Sequence, residues 1–190
     1  MKLSYNIILG SASPRRRELL SGLDIPYEVK IIPGVEENYP SHLLREEIPV
    51  YLARLKASAY HHLLAENDLL ITADTIVLLN GKVLGKPADE TEAMEMLRTL
   101  SGNTHEVITG VCLTTRQQEK TFHAVSCVKF AELDEDEIRY YVQKYKPYDK
   151  AGSYGVQEWI GYIGVERIEG SFYNVMGLPV RMLYSCLKEL

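Results

Sequence analysis

Two hydrophobic rhythms alternate along the 190 residues of the chain. Short continuous apolar runs predict buried strands, and apolar residues recurring every three to four positions predict helices with one buried face. The first run, Ile7-Ile8-Leu9, stops at Gly10 and gives way to Ser11-Ala12-Ser13-Pro14-Arg15-Arg16-Arg17. Ser13 is placed to cap a helix that opens at Pro14, because proline at the first position forfeits no hydrogen bond the helix would use. That helix is expected to reach about Gly22, with Leu19, Leu20 and Leu23 on its buried face. At about 100° per residue Arg16 falls on the same side one turn earlier, Arg15 flanks it, and Arg17 points away.

Tyr27 to Ile32 predicts a second strand, closed by Pro33-Gly34 and followed by Val35-Glu36-Glu37, with residues 38 to 47 as loop. Pro49 opens a helix to about Leu64 that has Tyr51, Leu52 and Leu55 among its apolar contacts and Lys56 on its middle turn. Leu69 to Ala73 and Ile76 to Leu79 read as strands on either side of Asp74-Thr75. Asn80-Gly81 predicts a hairpin into Val83-Leu84, since both turn residues tolerate positive φ, and Gly85-Lys86-Pro87 follows it. Asp89 and Glu92 have capping-box spacing for a helix striped by Ala93, Leu97 and Leu100, which stops at Ser101-Gly102, with Met94 and Met96 as core filler.

Val107 to Leu113 and Phe122 to Phe130 predict two long strands, and Asp134 caps a helix containing Ile138, Tyr141 and Tyr145. A turn-rich segment, Pro147 to Gly155, leads to short strands at Ile160 to Val165 and Glu166 to Ile168. Leu178-Pro179 begins a last helix with Val180, Leu183 and Leu187 on one face. Strands and helices alternate early while the later hairpins exclude an all-parallel arrangement, so the predicted class is α/β, a mixed twisted sheet with flanking helices.

A chain of this length suffices for one hydrophobic core, or one domain with two lobes around a cleft, so residues 1–190 are read as a single domain. A net charge of −5 and a pI near 5.6 oppose a nucleic-acid binder that depends on a broad basic surface, yet leave room for a local anion site. Cys112, Cys127 and Cys186 are odd in number and widely spaced, which suggests neither a disulfide framework nor a zinc site and fits a reducing cytoplasm. The apolar run after Met1-Lys2 is too short for a signal peptide, and no run approaches the ~18 apolar residues of a membrane span. The expectation is a soluble cytoplasmic protein with no membrane partner.

Candidate chemistry gathers at the strand ends. The start of the first helix offers free N–H groups, the hydroxyls of Ser11 and Ser13 and three guanidiniums, which suits an anion and equally suits a solvated basic helix start. Arg16 is the arginine directed inward, where its planar fork matches phosphate oxygens. Asp74 is read at the end of an apolar strand and Glu37 after another, so the two carboxylates could hold a hard divalent cation or divide the roles of ligand and base. A turn-forming aspartate and a solvated acidic loop are the plainer readings. Lys56 and Lys86 could neutralise phosphate, Lys86 being held between Gly85 and Pro87. The loop Asp149 to Gln157 carries two glycines that permit close backbone approach to a ligand, and Gln157 offers both donor and acceptor. Asn174-Val175-Met176-Gly177-Leu178-Pro179 forms a second polar turn before a helix. The five histidines lack ligand spacing and are read as structural or exposed.

Together these segments resemble the Maf family of nucleotide pyrophosphatases over nearly the whole chain. The resemblance is carried by Ser11-Ala-Ser-Pro-Arg-Arg16, Glu36-Glu37, Leu52-Ala-Arg-Leu-Lys56, Ala73-Asp-Thr75, Gly85-Lys-Pro87, Leu100-Ser-Gly102, Asp149-Lys-Ala-Gly152, Tyr154-Gly-Val-Gln157 and Asn174-Val-Met-Gly-Leu-Pro179. It implies a fold similar to that of the inosine triphosphate pyrophosphatases and hydrolysis of a nucleoside triphosphate to monophosphate and pyrophosphate with Mg²⁺ or Mn²⁺. It implies Asp74 as proton acceptor; from the chemistry of the residues Glu37 joins Asp74 in holding the metal, and Glu37, Lys56 and Lys86 complete the catalytic set. Ser11, Ser13, Arg15, Arg16, Thr75 and Gln157 are implied in substrate binding, and Arg16, Thr75 and Gln157 mark the branch that prefers dTTP and UTP. That branch usually has glycine after the glutamine, where this chain has Glu158-Trp159. A homodimer is compatible with the resemblance. Rival readings are cleavage of another noncanonical nucleotide such as 7-methylguanosine triphosphate, which Thr75 and Gln157 argue against, and a non-catalytic nucleotide-sensing regulator of cell division.

Overall fold

The computed structural model describes residues 4–190, so the expectation about the first residues of the chain falls partly outside the described residues. Seven strands, β1 (Asn6–Leu9), β2 (Tyr27–Val29), β3 (Asp68–Leu79), β4 (Lys82–Leu84), β5 (Thr104–Thr114), β6 (Glu119–Phe130) and β7 (Val165–Glu169), form one mixed sheet in the order β2-β1-β3-β5-β6-β7, with β4 paired to β3. The described residues divide into two compact units, residues 4–75, 109–124 and 177–190 in the first and residues 76–108 and 125–176 in the second. Among the described residues no helix is long and apolar enough to cross a membrane.

In the first unit β1 (Asn6–Leu9) lies between β2 (Tyr27–Val29) and β3 (Asp68–Leu79), parallel to both, with Ile8 opposite Leu70. A strand flanked on both edges and covered on its faces is buried throughout, which is why Ile7, Ile8 and Leu9 form an unbroken apolar run. Helix α1 (Pro14–Ser21) follows as its residues predict: Ser13 Oγ accepts from the Arg16 N–H, Pro14 opens the first turn, and Leu19 and Leu20 are buried.

Helix α2 (Glu47–Tyr60) begins two residues before Pro49, which fits because the first turn of a helix needs none of its own N–H bonds. It continues as a 3-10 turn over His61–Leu63. Ala53, Ala57, Tyr60 and Leu64 pack with Ile8, Leu70 and Cys112 in one buried cluster. Small residues bring α2 close to the sheet, and at Gly110 on β5 (Thr104–Thr114) the approach is closer than a side chain permits. A Cβ there would lie 2.4 Å from the Pro49 and Val50 backbone. Tyr51, expected among the apolar contacts, is instead partly exposed, on the outer side of the helix.

Three expectations are corrected. The strand after Tyr27 ends at Val29 rather than Ile32; residues 30–32 are held by Tyr60, whose hydroxyl donates to the Lys30 carbonyl at 3.0 Å and accepts from the Ile32 N–H at 3.0 Å. The two strands predicted around Asp74-Thr75 are one continuous twelve-residue β3, because Asp74 finds an ion-pair partner and so does not interrupt the strand. The segment Ile160 to Val165 is not a strand but helix α5 (Trp159–Gly164), in which Ile160 and Gly164, four residues apart, are buried. Only β7 (Val165–Glu169) after it is extended, antiparallel to β6 (Glu119–Phe130).

In the second unit the Asn80-Gly81 turn joins β3 to β4 (Lys82–Leu84) in antiparallel register. Helix α3 (Glu90–Leu100) buries Ala93, Met96, Leu97 and Leu100. Its cap is half of the expected box: Asp89 accepts from the Glu92 N–H, while the Glu92 carboxylate accepts from Ala88 rather than returning to Asp89. Helix α4 (Glu135–Tyr145) has the complete capping box between Asp134 and Glu137. Helix α6 (Phe172–Met176), which no periodicity announces, precedes α7 (Val180–Lys188).

Candidate active site

Side chains alternate across a strand, so Thr72 and Asp74 share one face of β3 and Thr75 takes the other. The Thr72 hydroxyl donates to the Ala53 carbonyl on α2 at 2.8 Å, which seats that helix over the face of Asp74. Lys56, one turn further along α2, then reaches Asp74: its Nζ lies 2.6 Å from Asp74 Oδ1 and 3.0 Å from Glu37 Oε1. Two carboxylates from separate elements thus converge on one ammonium. The Lys56 and Asp74 side chains are 16% and 9% exposed, whereas Glu37 is 41% exposed on its loop. Asp74 is therefore a mid-strand residue held by a partner, not the strand-end residue expected from the sequence.

On the other face Thr75 is the single residue of β3 that is less than fully buried. Arg16 reaches it from α1, donating through Nη2 to Thr75 Oγ1 at 3.0 Å and through Nε to the Gly177 carbonyl at 2.8 Å. Gly177 has φ of +113°, and a Cβ there would stand 3.5 Å from Thr75 Oγ1. Only glycine adopts that backbone readily, so the residue type turns this carbonyl toward the guanidinium. Two of the five N–H donors of Arg16 are committed in this way. Burial pulls its pKa below the ordinary guanidinium value, while nearby Asp74 acts the opposite way, Arg15 adds to the lowering and Glu37 opposes it. The inward direction of Arg16 is as the sequence predicts. Arg17 does not point away as expected; it is partly buried, and its Nε is shielded from solvent.

Ser11 is buried and its hydroxyl accepts from the Ser13 N–H at 3.2 Å, while the Ser13 hydroxyl is engaged as the helix cap. The hydroxyls thus shape the turn beneath Arg15 and Arg16. Arg16, Glu37, Lys56, Asp74 and Thr75 all belong to the first unit and form two sets, Lys56 with Glu37 and Asp74 and Arg16 with Thr75, joined where Asp74 and Thr75 are neighbours in β3.

Lys86 and Gln157 belong to the second unit. There the Gly152 N–H donates to the Gly85 carbonyl at 3.0 Å, which lays the Asp149–Gln157 loop beside the turn that carries Lys86. Gln157 and Glu158 are both partly exposed, following the buried Val156. Glu158, at the position where the branch usually has glycine, ties the loop down. It accepts from the Tyr141 hydroxyl and pairs with Lys150 Nζ at 3.1 Å. The Tyr141 hydroxyl in turn accepts from the Gly155 N–H at 3.0 Å, so the loop is fixed at both Gly155 and Glu158. Trp159 sets its ring edge-on to Tyr140, with centroids 4.9 Å apart. Asn174, singled out with the polar turn before α7, is fully buried and donates to the Val107 carbonyl and to Ser126, a packing role.

Thr72 and Thr109 are not among the candidate residues of the sequence. For the two threonines the available signal was a hydroxyl inside an otherwise apolar strand.

The fold is that of the Ham1 proteins: over 98% of the chain and 100% of the other, it aligns with a Ham1 protein from Coxiella burnetii at a TM-score of 0.50 and 16% identity. That likeness concerns the fold alone. The chain belongs to the Maf-like protein family, which matches residues 6–190. It is 59% identical over 187 residues to the dTTP/UTP pyrophosphatase of Porphyromonas gingivalis, covering 97% of this chain and 94% of that one. It is 61% identical over 186 residues to the dTTP/UTP pyrophosphatase of Bacteroides fragilis, covering 98% and 96%.

Proposed function

We propose that the chain hydrolyses dTTP and UTP to the corresponding monophosphate and pyrophosphate. The observation that carries this reading is the convergence of Asp74 and Glu37 on Lys56, with Arg16 anchored at the residue next to Asp74. A triphosphate brings about four negative charges, which cationic groups must offset before a nucleophile can approach. Arg16, with donors left over from Thr75 and Gly177, receives phosphate oxygens, and Arg15 adds charge at the same helix start. Asp74 orients a water molecule for in-line attack on the α-phosphorus and takes its proton, and pyrophosphate departs from the opposite side.

Asp74 and Glu37 are also the residues that would hold a divalent cation, Mg²⁺ or Mn²⁺. Their carboxylate oxygens already face a single cationic group, and one or two carboxylates with substrate phosphates are the usual ligands of Mg²⁺. Among the described residues there is no group of three or more His, Cys, Asp or Glu side chains that could hold a metal ion, so the two carboxylates would share the cation with substrate phosphate oxygens. When bound, the cation supplies charge neutralisation on the phosphoryl oxygens. Lys56 then remains as a cation beside Asp74, able to contact phosphate.

The assignment of Lys86 to phosphate and of Gln157 to the base rests on the family motifs and on the fixed, small-residued loop that bears Gln157. Three free cysteines suit a reducing cytoplasm as the place of action. The experiment is a panel of canonical and modified nucleoside triphosphates, including 7-methylguanosine triphosphate, incubated with purified protein and Mg²⁺ or Mn²⁺ and scored for monophosphate and pyrophosphate. Release of pyrophosphate from dTTP and UTP ahead of the others is expected. No release from any of them would leave a nucleotide-sensing role, and fastest release from the methylated guanosine nucleotide would move the chain to a different substrate class.

A further inference from the structure

The hydroxyl of Thr75 has a second partner, Thr109 on the neighbouring strand β5, at 2.9 Å between the two Oγ1 atoms. Thr109 is fully buried, whereas Thr75 is the one partly exposed position of β3. We infer that Thr109 is a positioning residue for base selection: it holds the Thr75 side chain in the one rotamer that presents its hydroxyl to Arg16 and to the ligand. This inference rests on the proposed function, in which Thr75 lies against the substrate.

Threonine has two unlike branches on Cβ, a methyl and a hydroxyl, and its χ1 angle takes staggered wells that exchange them. Arg16 can only donate, so it is satisfied by Thr75 only when the oxygen faces it. With Arg16 alone as partner, a long guanidinium side chain would have to define the rotamer of a short one. A buried hydroxyl on the adjacent strand supplies a fixed second point, because Thr109 is enclosed by a packed sheet. When Thr109 donates in the pair, Arg16 and Thr109 fill both lone pairs of the Thr75 oxygen, and its O–H alone is left for a ligand. An O–H held in one direction donates to a ring carbonyl of uracil or thymine, at the position where cytosine presents an amino group that cannot accept. The Nε bond from Arg16 to the Gly177 carbonyl does not involve Thr109, so loss of Thr109 should spare the anchoring of Arg16.

The test measures kcat and KM for UTP and CTP in the wild type, Thr109→Val, Thr109→Ser, Thr75→Val and the Thr75→Val/Thr109→Val double variant, with melting temperature followed throughout. Thr109→Val is expected to shrink the UTP-to-CTP ratio of kcat/KM about 5- to 30-fold, mainly by raising KM for UTP, the scale of one mispaired buried polar group. Thr109→Ser should restore most of the ratio because serine keeps the hydroxyl. Residues that act as a unit are not additive, so the double variant should lose little beyond Thr75→Val. If Thr109→Val does not fold, Thr109→Ala is read in the same way. A ratio unchanged within about twofold in Thr109→Val, no rescue by serine, or full additivity in the double variant would overturn the inference. Failure of the proposed function is separate and visible first, as a wild type that does not prefer UTP at all.

Discussion

Lys56 Nζ lies 2.6 Å from Asp74 Oδ1, and both side chains are more than four-fifths removed from solvent. A charge-assisted bond this short in a mostly dry setting keeps the Asp74 carboxylate pointed at α2. The same ammonium contacts Glu37 at 3.0 Å, so one lysine gathers two carboxylates that lie far apart in the chain. The role proposed for Asp74 must therefore operate with Lys56 at its side.

Asp74→Asn preserves shape and a hydrogen-bond acceptor for Lys56 but removes the base. Turnover of dTTP should fall by roughly 10²-fold or more, with a melting temperature close to wild type. Near-normal pyrophosphate release from the purified variant would reject Asp74 as proton acceptor.

Chelation by EDTA should abolish hydrolysis, and Mg²⁺ or Mn²⁺ should restore it, because Asp74, Glu37 and a triphosphate together carry more negative charge than Lys56 and Arg16 can offset. Glu37→Gln should raise the metal concentration needed for half-maximal rate. Full activity in exhaustively metal-free buffer would contradict the ligand assignment.

Gln157→Ala should narrow the preference for dTTP and UTP over CTP by about ten- to a hundredfold, chiefly through loss on the preferred substrates. Arg16→Ala should weaken every triphosphate, since phosphate contacts are common to all. If Gln157→Ala leaves the substrate ranking as it was, base selection lies in other residues of the pocket.

His105 sets a pH limit on stability rather than on chemistry. It is 1% exposed, packed edge-on against Phe130 and Tyr154, with Nε2 2.7 Å from the Tyr154 hydroxyl. Burial pushes its pKa down to about 4 from 6.5. The unfolded chain then binds a proton that the folded chain refuses between these two values. Stability is fully retained above about pH 6.5 and falls as pH drops toward 4, by about 3 kcal/mol in all from this group. Denaturant unfolding at a series of pH values should show that slope, and His105→Gln should flatten it. An identical slope in the variant would assign the acid sensitivity elsewhere.

Much of the site was legible in the amino-acid order because its local parts are built from short-range signals. Ser13-Pro14 announced the start of α1, and helical phase alone pointed Arg16 inward. Asn80-Gly81 fixed a hairpin and Asp134 a helix start, all within a few residues of chain. The motifs around Glu37, Lys56, Asp74, Thr75 and Gln157 were likewise readable as sequence, and the family they indicated is the one to which the chain belongs.

What the amino-acid order did not determine is how those parts meet. Lys56 finds Asp74 across 18 residues, Thr75 finds Thr109 across 34, and Arg16 finds the Gly177 carbonyl across 161. Periodicity reports which face of an element is buried, and it is silent on which polar group on another element will stand opposite. That is why Asp74 read as a strand end: a carboxylate inside an apolar strand is unfavourable until a cation from elsewhere compensates it. The same reason made the helix at 159–164 read as a strand, since a short apolar run fits either and only the packing of Ile160 and Gly164 decides. The residues and their local geometry were written in the chain. The pairings among two carboxylates, a lysine, an arginine and two threonines exist only where the folded backbone brings their polar atoms within hydrogen-bond reach.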